Sequence, residues 1–176
     1  MVKKCDNTSS GIIFEENGKI LLIERHNYPQ AVALPAGHLD GDKPNGNAIL
    51  ESSQEVGLAL TDMNLFWHNT VDNPCKREGG NHHDWWIFKA RKWSGEVKAG
   101  DDAKKAFWSS YEELQKFAAR TEYFMRKYNI PYTEVGRLTK EIFGDVPAEK
   151  KTDPEWQAEM GLEPVWYFIL KALKLI

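Results

Sequence analysis

Residues 34–58 constrain the fold of this 176-residue chain more than any other part of the sequence. The segment opens with a short apolar run, continues through a glycine-rich loop and then becomes helical in pattern. Glu51, Gln54 and Glu55 stand at i, i+3 and i+4, so a helix places their side chains on one face. Because glycine has no side chain, the loop backbone can approach the same point closely. The segment therefore predicts a strand, a loop and a helix whose oxygen atoms converge on one hard cation.

The acidic pair also has an ordinary interpretation, in which Glu51 and Glu55 lie on a solvated helix face, as most glutamate pairs do. The order of the surrounding features weakens this alternative. A strand, a glycine-rich loop and a closing Gly57-Leu58 all accompany the pair. The segment is therefore the first place to look for chemistry.

Turn signals outline the remaining elements. Asn17-Gly18 between the apolar runs 11–14 and 19–23 predicts a β-hairpin, because this dipeptide favours the tight turns that join antiparallel strands. Asn47 is a candidate helix cap and Gly57 a candidate helix end. The other predicted elements are strands at 32–34, 64–71, 84–93 and 106–108, a loop at 36–47, and helices at 47–57, 111–128, 132–143 and 162–176.

Strands interrupted by one central helix, with helices at the end, are typical of an α/β or α+β sandwich with a mixed central sheet flanked by helices. We expect residues 1–128 to form the domain and residues 129–176 a C-terminal helical extension packed on it. The extension contains a polar linker at 144–154. Its last helix carries an apolar stripe at helical spacing, formed by Leu162, Val165, Trp166, Ile169, Leu173 and Ile176.

Composition excludes several classes of protein. The net charge is −3, so no bulk attraction to nucleic acids or anionic lipid is expected. The start of the chain lacks the apolar core of a signal peptide, and the uncharged apolar runs are too short to span a membrane. Two cysteines, Cys5 and Cys75, are too few for a disulfide framework or a four-thiolate zinc site. These features predict a cytoplasmic protein with reduced thiols.

Residues 79–84 contain two adjacent histidines, His82 and His83, beside Asp84. Neighbouring side chains on a strand point to opposite faces of the sheet, so the two imidazoles diverge. The sequence around them offers no spaced partner that would complete a zinc set. We therefore predict no metal site in this stretch.

The segment at 34–58 resembles the Nudix box, G-x5-E-x7-R-E-U-x-E-E-x-G-U, in which U is a bulky aliphatic residue. Gly37 matches the first glycine, Glu51 the glutamate after the arginine, and Glu55 the second of the paired glutamates, while Gly57-Leu58 match the end. The resemblance extends over about residues 9–118. It implies a Nudix-type sandwich.

The box departs from the family pattern at four points. Leu50 replaces the arginine, Gln54 the first paired glutamate, and Ser52 an aliphatic residue. The loop is one residue short, so Asp42 or Lys43 stands where the isolated glutamate belongs. Losing the arginine removes a partner that would orient carboxylates, and losing a ligand charge weakens Mg²⁺ binding. The resemblance therefore implies a weakened site.

Nudix enzymes cleave a nucleoside diphosphate linked to another group, with Mg²⁺ or Mn²⁺ bridging the phosphate oxygens. The resemblance implies that Glu51 and Glu55 are catalytic and bind the metal, with Glu51 or a later acid as base. It also assigns the carbonyl of Ala36 and the amide of Gln54 to the metal. The substrate-binding candidates are Arg25, Gly37, His38, Asp101 and Asp102, with Glu96 as a further loop acid. A surface arginine and a loop-packing histidine are the alternatives for Arg25 and His38.

The resemblance favours a pyrophosphohydrolase whose partner is a small nucleoside diphosphate derivative, not a nucleic acid polymer or a membrane. The departures from the box keep a second function open, a catalytically impaired Nudix-fold module that binds a nucleotide or a protein. An isomerase or a nonenzymatic scaffold is a third. A homodimer also stays open, with the C-terminal extension as one candidate contact.

Overall fold

The computed structural model describes residues 3–146 and 151–176. In this part of the chain, five strands precede the first helix, three strands follow it, and four helices come last. The strands are β1 (Thr8–Ile13), β2 (Glu15–Glu16), β3 (Lys19–Arg25), β4 (Val32–Ala33), β5 (Ala36–His38), β6 (Ala59–Val71), β7 (His83–Ser94) and β8 (Ala103–Ser110). The helices are α1 (Pro44–Val56), α2 (Tyr111–Tyr128), α3 (Val135–Phe143), α4 (Pro154–Ala158) and α5 (Pro164–Ala172).

The strands form two sheets. In the first, the order is β5-β1-β7-β6, with β1 and β7 parallel and the other neighbours antiparallel. In the second, β3 pairs with β8 on one side and with β2 and β4 on the other. The predicted class, a mixed sheet flanked by helices, is confirmed.

The chain passes from one sheet to the other at Phe14, which is fully buried between β1 and β2. The predicted hairpin follows, since β2 and β3 pair across Asn17 and Gly18. Both turn residues have positive φ, 51° and 72°, which is the geometry that two-residue hairpin turns require. This prediction is confirmed.

Helix α1 begins earlier than the sequence suggested. Pro44 occupies its first turn, where a missing N–H costs nothing, and Gly57 ends it in the left-handed conformation as predicted. Asn47 is not the cap. It lies buried inside the helix, where its Oδ1 accepts a 2.6 Å bond from Ser10 and its Nδ2 donates to the carbonyl of His38. The predicted loop at 36–47 is also wrong at its start, because β5 pairs with β1 there.

The later strands and α2 lie where the sequence placed them. Strands β6, β7 and β8 are longer than predicted, because cross-strand pairing extends beyond the β-branched and aromatic runs. Ser110 caps α2, as one of the two predicted candidates, and accepts a 3.1 Å hydrogen bond from the backbone N–H of Glu113.

The C-terminal segment packs on the sheets through α5. This helix is shorter than predicted, but Val165, Trp166 and Ile169 of the apolar stripe are at most 1% exposed. Trp166 lies 5.6 Å from Trp85 between ring centroids. The predicted linker at 144–154 includes residues 147–150, which lie outside the described residues, and its last residue begins α4.

Backbone hydrogen bonds tie the approach to α5 to strand β4. The N–H of Val32 donates to the carbonyl of Gly161 at 3.0 Å, and the N–H of Glu163 donates to the carbonyl of Val32 at 2.8 Å. Glu163 is thereby fixed beside the second sheet. Across residues 3–146 and 151–176, no helix combines the length and apolar character needed to cross a membrane.

Candidate functional site

A cavity of about 200 Å³ lies where β5, α1 and the end of β3 meet. Glu51 and Glu55 reach it from α1, and Ala36 and Gly37 reach it from β5. The loop after β6 and the segment before α5 close other walls. The lining also includes Ser9, Arg25, Asn27, Tyr28, Pro29, His38, Asp40, Asn73, Pro74, Cys75, Lys76, Arg77, His83, Trp85, Asp102 and Glu163.

Glu55 is a half-buried carboxylate with one backbone partner. Its Oε2 accepts a 2.8 Å hydrogen bond from the N–H of Ala36. Burial raises the pKa of Glu55 to about 8, against the opposing effects of Arg25 and the Ala36 N–H. The negative charge of Glu51 adds to the increase. The ionised form of Glu55 therefore needs a nearby cation.

Glu51 packs directly over Gly37. A Cβ atom at Gly37 would lie 1.9 Å from Oε1 of Glu51, so only glycine leaves room for this carboxylate. Burial raises the pKa of Glu51, and the charges of Asp102 and Asp40 raise it further, while Asn47 acts in the opposite direction. Two carboxylates that oppose each other's ionisation in one cavity form a donor set that fits a divalent cation.

Arg25 supplies positive charge to the same cavity. Its Nη1 lies 3.6 Å from Oε2 of Glu163, and its Nη2 donates to the carbonyl of Tyr28 at 3.4 Å. The guanidinium lowers the pKa of both Glu51 and Glu55. Arg25 is therefore held at the end of β3, where its charge partly offsets the increase in the pKa of the two carboxylates.

Glu163 was not predicted from the sequence. It is 8% exposed, burial raises its pKa, and Arg25 is its ion-pair partner. Among the described residues, its Oε2 has no hydrogen-bond partner. The local sequence signal was weak, a glutamate directly before the proline that begins an apolar helix.

Of Gln54 and the three predicted loop acids, the structure places one in the cavity wall and the rest outside it. Asp102 lines the cavity, and its Oδ1 accepts a 3.0 Å bond from Nδ2 of Asn27. Gln54 and Asp101 are exposed and lie outside the lining, as does Glu96. Gln54 is exposed even though helical spacing sets it only about 60° from Glu51 around the helix axis. The structure therefore does not bring Gln54 and Asp101 to the carboxylate pair.

His38 faces the cavity and also joins a cluster. Its Nε2 lies 3.2 Å from Nε2 of His83, and the sulfurs of Cys5 and Cys75 complete a group whose atoms all lie within 4.8 Å of one another. Burial lowers the pKa of both imidazoles to about 4, so both are neutral at pH 7. The expectation that His83 has no spaced partners is wrong, because the fold brings partners from three distant segments. His82 stays exposed.

A family model described as the NUDIX domain matches residues 7–128. The chain belongs to the NUDIX family. An ADP-ribose pyrophosphatase from Methanocaldococcus jannaschii is 33% identical to the chain over 119 residues, which cover 66% of this chain and 69% of that protein. The resemblance and the enzyme class predicted from the sequence, a pyrophosphohydrolase, are confirmed.

Solved structures of NUDIX proteins share the fold. The MutT NUDIX hydrolase from Burkholderia pseudomallei aligns with a TM-score of 0.53 and 24% identity, over 61% of this chain and 84% of that one. The MutT protein from Bacillus halodurans aligns with a TM-score of 0.52 and 17% identity, over 62% and 71%. At these identities the likeness establishes the fold alone.

Proposed function

We propose that the protein hydrolyses the diphosphate linkage of a nucleoside diphosphate derivative, with Mg²⁺ or Mn²⁺ bound by Glu51 and Glu55. The observation that carries the proposal is the burial of these two carboxylates in one cavity, one over Gly37 and one on the Ala36 N–H. ADP-ribose is the substrate to test first, because the Methanocaldococcus jannaschii relative bears the name of an ADP-ribose pyrophosphatase.

The residues of the cavity divide the work. Glu55 is held in place by the Ala36 N–H and binds the cation, while Glu51 binds it or accepts a proton from the attacking water. The raised pKa of Glu51 suits a base better than that of an exposed glutamate. A bound divalent ion neutralises charge that develops on the phosphate oxygens.

Arg25 explains how the site functions without the arginine of the family pattern. Leu50, at that position, is 43% exposed and lies outside the cavity lining. Arg25 lines the same cavity from the end of β3, and its charge opposes the burial that raises the pKa of both carboxylates. Its orientation by Glu163 and by the carbonyl of Tyr28 leaves the guanidinium facing the cavity, where it can bind a substrate phosphate.

A binding module without turnover is the second candidate. The observation that favours it is the position of Gln54, which is neutral and exposed, so the cavity contains fewer anionic ligands than the family pattern supplies. The two functions differ in one measurable respect. The enzyme releases products when the metal is added, whereas the module binds the nucleotide unchanged.

The test is an assay of the full chain against ADP-ribose, a dinucleotide and a nucleoside diphosphate sugar, each with Mg²⁺ or Mn²⁺. We expect metal-dependent cleavage of at least one substrate at the diphosphate, with the products identified by chromatography. Glu51→Gln should reduce the rate at least about tenfold. Glu112→Gln, the same change at an exposed position on α2, should not. Nucleotide binding without product at saturating metal would establish the module instead.

A further inference from the structure

A cluster of two cysteines and two histidines, three of which line the cavity, is built from four segments that are far apart in the sequence. Cys5 precedes β1, His38 ends β5, Cys75 lies in the loop after β6, and His83 begins β7. The cluster is compact. Sγ of Cys5 lies 3.2 Å from Nε2 of His83 and 3.5 Å from Sγ of Cys75, and the two Nε2 atoms lie 3.2 Å apart.

These distances are close to those of a coordination shell. A tetrahedral zinc ion with bonds of about 2.3 Å to sulfur and about 2.0–2.1 Å to nitrogen sets its ligand atoms about 3.3–3.8 Å apart. A disulfide would instead require the sulfurs at about 2.0 Å, and it would leave the convergence of the two imidazoles unexplained. We propose that Cys5, His38, Cys75 and His83 bind one Zn²⁺.

Thiolate and imidazole ligands together select the metal. Two thiolates and two neutral imidazoles in a tetrahedral arrangement are the ligand set of zinc, whereas Mg²⁺ takes oxygen ligands. The carboxylates of Glu51 and Glu55 do not belong to this cluster. The zinc site is therefore distinct from the hydrolytic metal site, and it does not depend on the proposed function.

Hydrogen bonds around His83 orient it as a ligand. Its Nδ1 lies 3.0 Å from the carbonyl of Asn73, which can only accept, so Nδ1 carries the proton and Nε2 presents a lone pair to the cluster. Asn73 is fixed in turn, because its Oδ1 accepts a 3.0 Å bond from the indole N–H of Trp85. Metal-binding histidines are commonly held by a backbone carbonyl in this way.

Backbone N–H groups stabilise both sulfurs. The N–H of Asn7 donates to Sγ of Cys5 at 3.3 Å, and the N–H of Arg77 donates to Sγ of Cys75 at 3.4 Å. Each donor lies two residues after its cysteine, so the local backbone fixes the position of both sulfur atoms. A Cβ at Gly80 would lie 2.2 Å from Sγ of Cys75, so glycine lets the loop fold over the sulfurs.

Four protein ligands leave no open coordination position, so the zinc has a structural role. It joins the N-terminal segment, β5, the loop after β6 and β7 at one point. His38 follows Gly37 directly, and Gly37 and Ala36 hold Glu51 and Glu55. Zinc therefore fixes the strand on which the hydrolytic carboxylates rest.

The test is the metal content of the full chain, purified without chelators from cells grown with zinc. We expect about one zinc per chain, and we expect Cys75→Ser and His83→Gln each to lose most of it. His82→Gln changes the exposed neighbouring histidine and should retain the zinc. Glu55→Gln should also retain zinc while losing Mg²⁺-dependent activity, which separates the two sites.

A second measurement covers variants that fail to fold. Wild-type protein with Co²⁺ in place of zinc should show the intense absorption of tetrahedral cobalt with thiolate ligands, and both thiols should react with a thiol reagent only after a chelator is added. Protein without zinc or cobalt affinity would overturn the proposal. So would a zinc content unchanged in His83→Gln, or a Cys5–Cys75 disulfide in wild-type protein that was purified with zinc present.

Discussion

The backbone N–H of Ala36 donates a 2.8 Å hydrogen bond to Oε2 of Glu55, which joins strand β5 to helix α1 inside the cavity. The two residues are 19 positions apart, and the bond is partly buried. It sets the position of Glu55 without neutralising its charge. The negative charge of Glu55 can therefore interact with a bound cation.

Glu55→Gln should remove hydrolysis while preserving the fold. The amide oxygen of glutamine can still accept the Ala36 N–H, but the negative charge that binds the metal is lost. We expect turnover at saturating substrate to fall at least about tenfold, which corresponds to about 1.4 kcal/mol. Turnover and melting temperature measured together distinguish this outcome from unfolding. Turnover within a few-fold of wild type would exclude Glu55 from the site.

The same variant has a pH signature. The pKa of Glu55 is raised from 4.5 to about 8, so between these values the folded chain binds more protons than the unfolded chain. Without added Mg²⁺, the stability that protonated Glu55 contributes to the wild-type fold is complete below pH 4.5 and is lost as the pH rises through 8. The melting temperature of Glu55→Gln minus that of wild type should therefore increase between pH 5 and pH 8. A constant difference would contradict the burial of the charge.

Gly37→Ala should displace Glu51 and inactivate the protein at little cost in stability. The new Cβ would lie 1.9 Å from Oε1 of Glu51, and the end of that flexible side chain must move away. We expect a loss of turnover of at least about tenfold. Gly46→Ala is the matched control, since its Cβ meets nothing within 4 Å and α1 should gain about 0.5–1 kcal/mol. Equal activity in both variants would contradict the packing of Glu51 against Gly37 as a requirement for activity.

Gln54→Glu tests whether the missing charge limits metal binding. The residue adjoins Glu55 in the sequence but its side chain lies on the exposed side of α1, so a carboxylate there adds negative charge to the helix without new packing. We expect tighter Mg²⁺ binding and up to about tenfold higher turnover at low Mg²⁺. Ser53→Glu adds the same charge at an exposed position on another face and should change neither. Mg²⁺ titrations of activity compare the three proteins.

Asp153→Asn should destabilise the C-terminal segment in a pH-dependent way. Burial opposes ionisation of Asp153, but hydrogen bonds from Lys127, from Tyr128 and from two backbone N–H groups outweigh it and lower its pKa to about 2. Its stabilising contribution is therefore present above pH 3.8 and is lost as the pH falls through 2.

We expect a cost of about 1 kcal/mol at pH 7, reduced by solvent screening, and a smaller cost near pH 2. Denaturant unfolding at both pH values measures it. Asp145→Asn breaks a surface pair with Lys140, whose side chains are 65% and 54% exposed, and should have little effect at either pH. A cost for Asp153→Asn that does not depend on pH would point to capping of α4 alone.

Trp166→Ala should cost about 3–5 kcal/mol, because it empties the space between α5 and the first sheet. The indole is fully buried against Trp85 and lies so close to Gly11 that a Cβ there would be 2.6 Å from Cη2. Leu65→Ala, at a position 51% exposed on β6, should cost less than about 1 kcal/mol. Deleting residues 162–176 should yield an aggregating product. A sharp, unshifted melt of either altered chain would show that α5 is dispensable.

Local signals were sufficient to predict much of the fold. Asn17-Gly18, Ser110 and Gly57 each act within a few residues of their own position, and each occupies the predicted turn or helix end. The prediction that Asn47 caps α1 is wrong, because an asparagine before an apolar run has the local pattern of a cap although the helix begins at Pro44. Its bonds to Ser10 and to the carbonyl of His38 are tertiary contacts that a local pattern does not contain.

The residues of the candidate site also divide into those whose grouping the local spacing predicts and those that only the tertiary fold brings together. Glu51 and Glu55 share a helix, so their spacing alone predicts that they act together. Glu163 reaches the cavity because residues 161–163 bond to β4, a long-range contact with no spacing rule. The sequence predicts no zinc site at Cys5 and Cys75 because two cysteines are too few for a four-thiolate set, and none at His83 because it has no spaced partner nearby. Only the fold brings these residues together with His38.

The attachment of residues 161–163 to Val32 also affects whether two molecules of the protein can associate through their sheet edges. Strand β4 is the outermost strand at that side of its sheet, and an outer strand presents unpaired N–H and C=O groups that can template pairing with another chain. The N–H and the carbonyl of Val32 are instead both occupied, by Gly161 and Glu163. The segment that delivers Glu163 to the cavity thus also closes an edge at which two molecules would otherwise join their sheets.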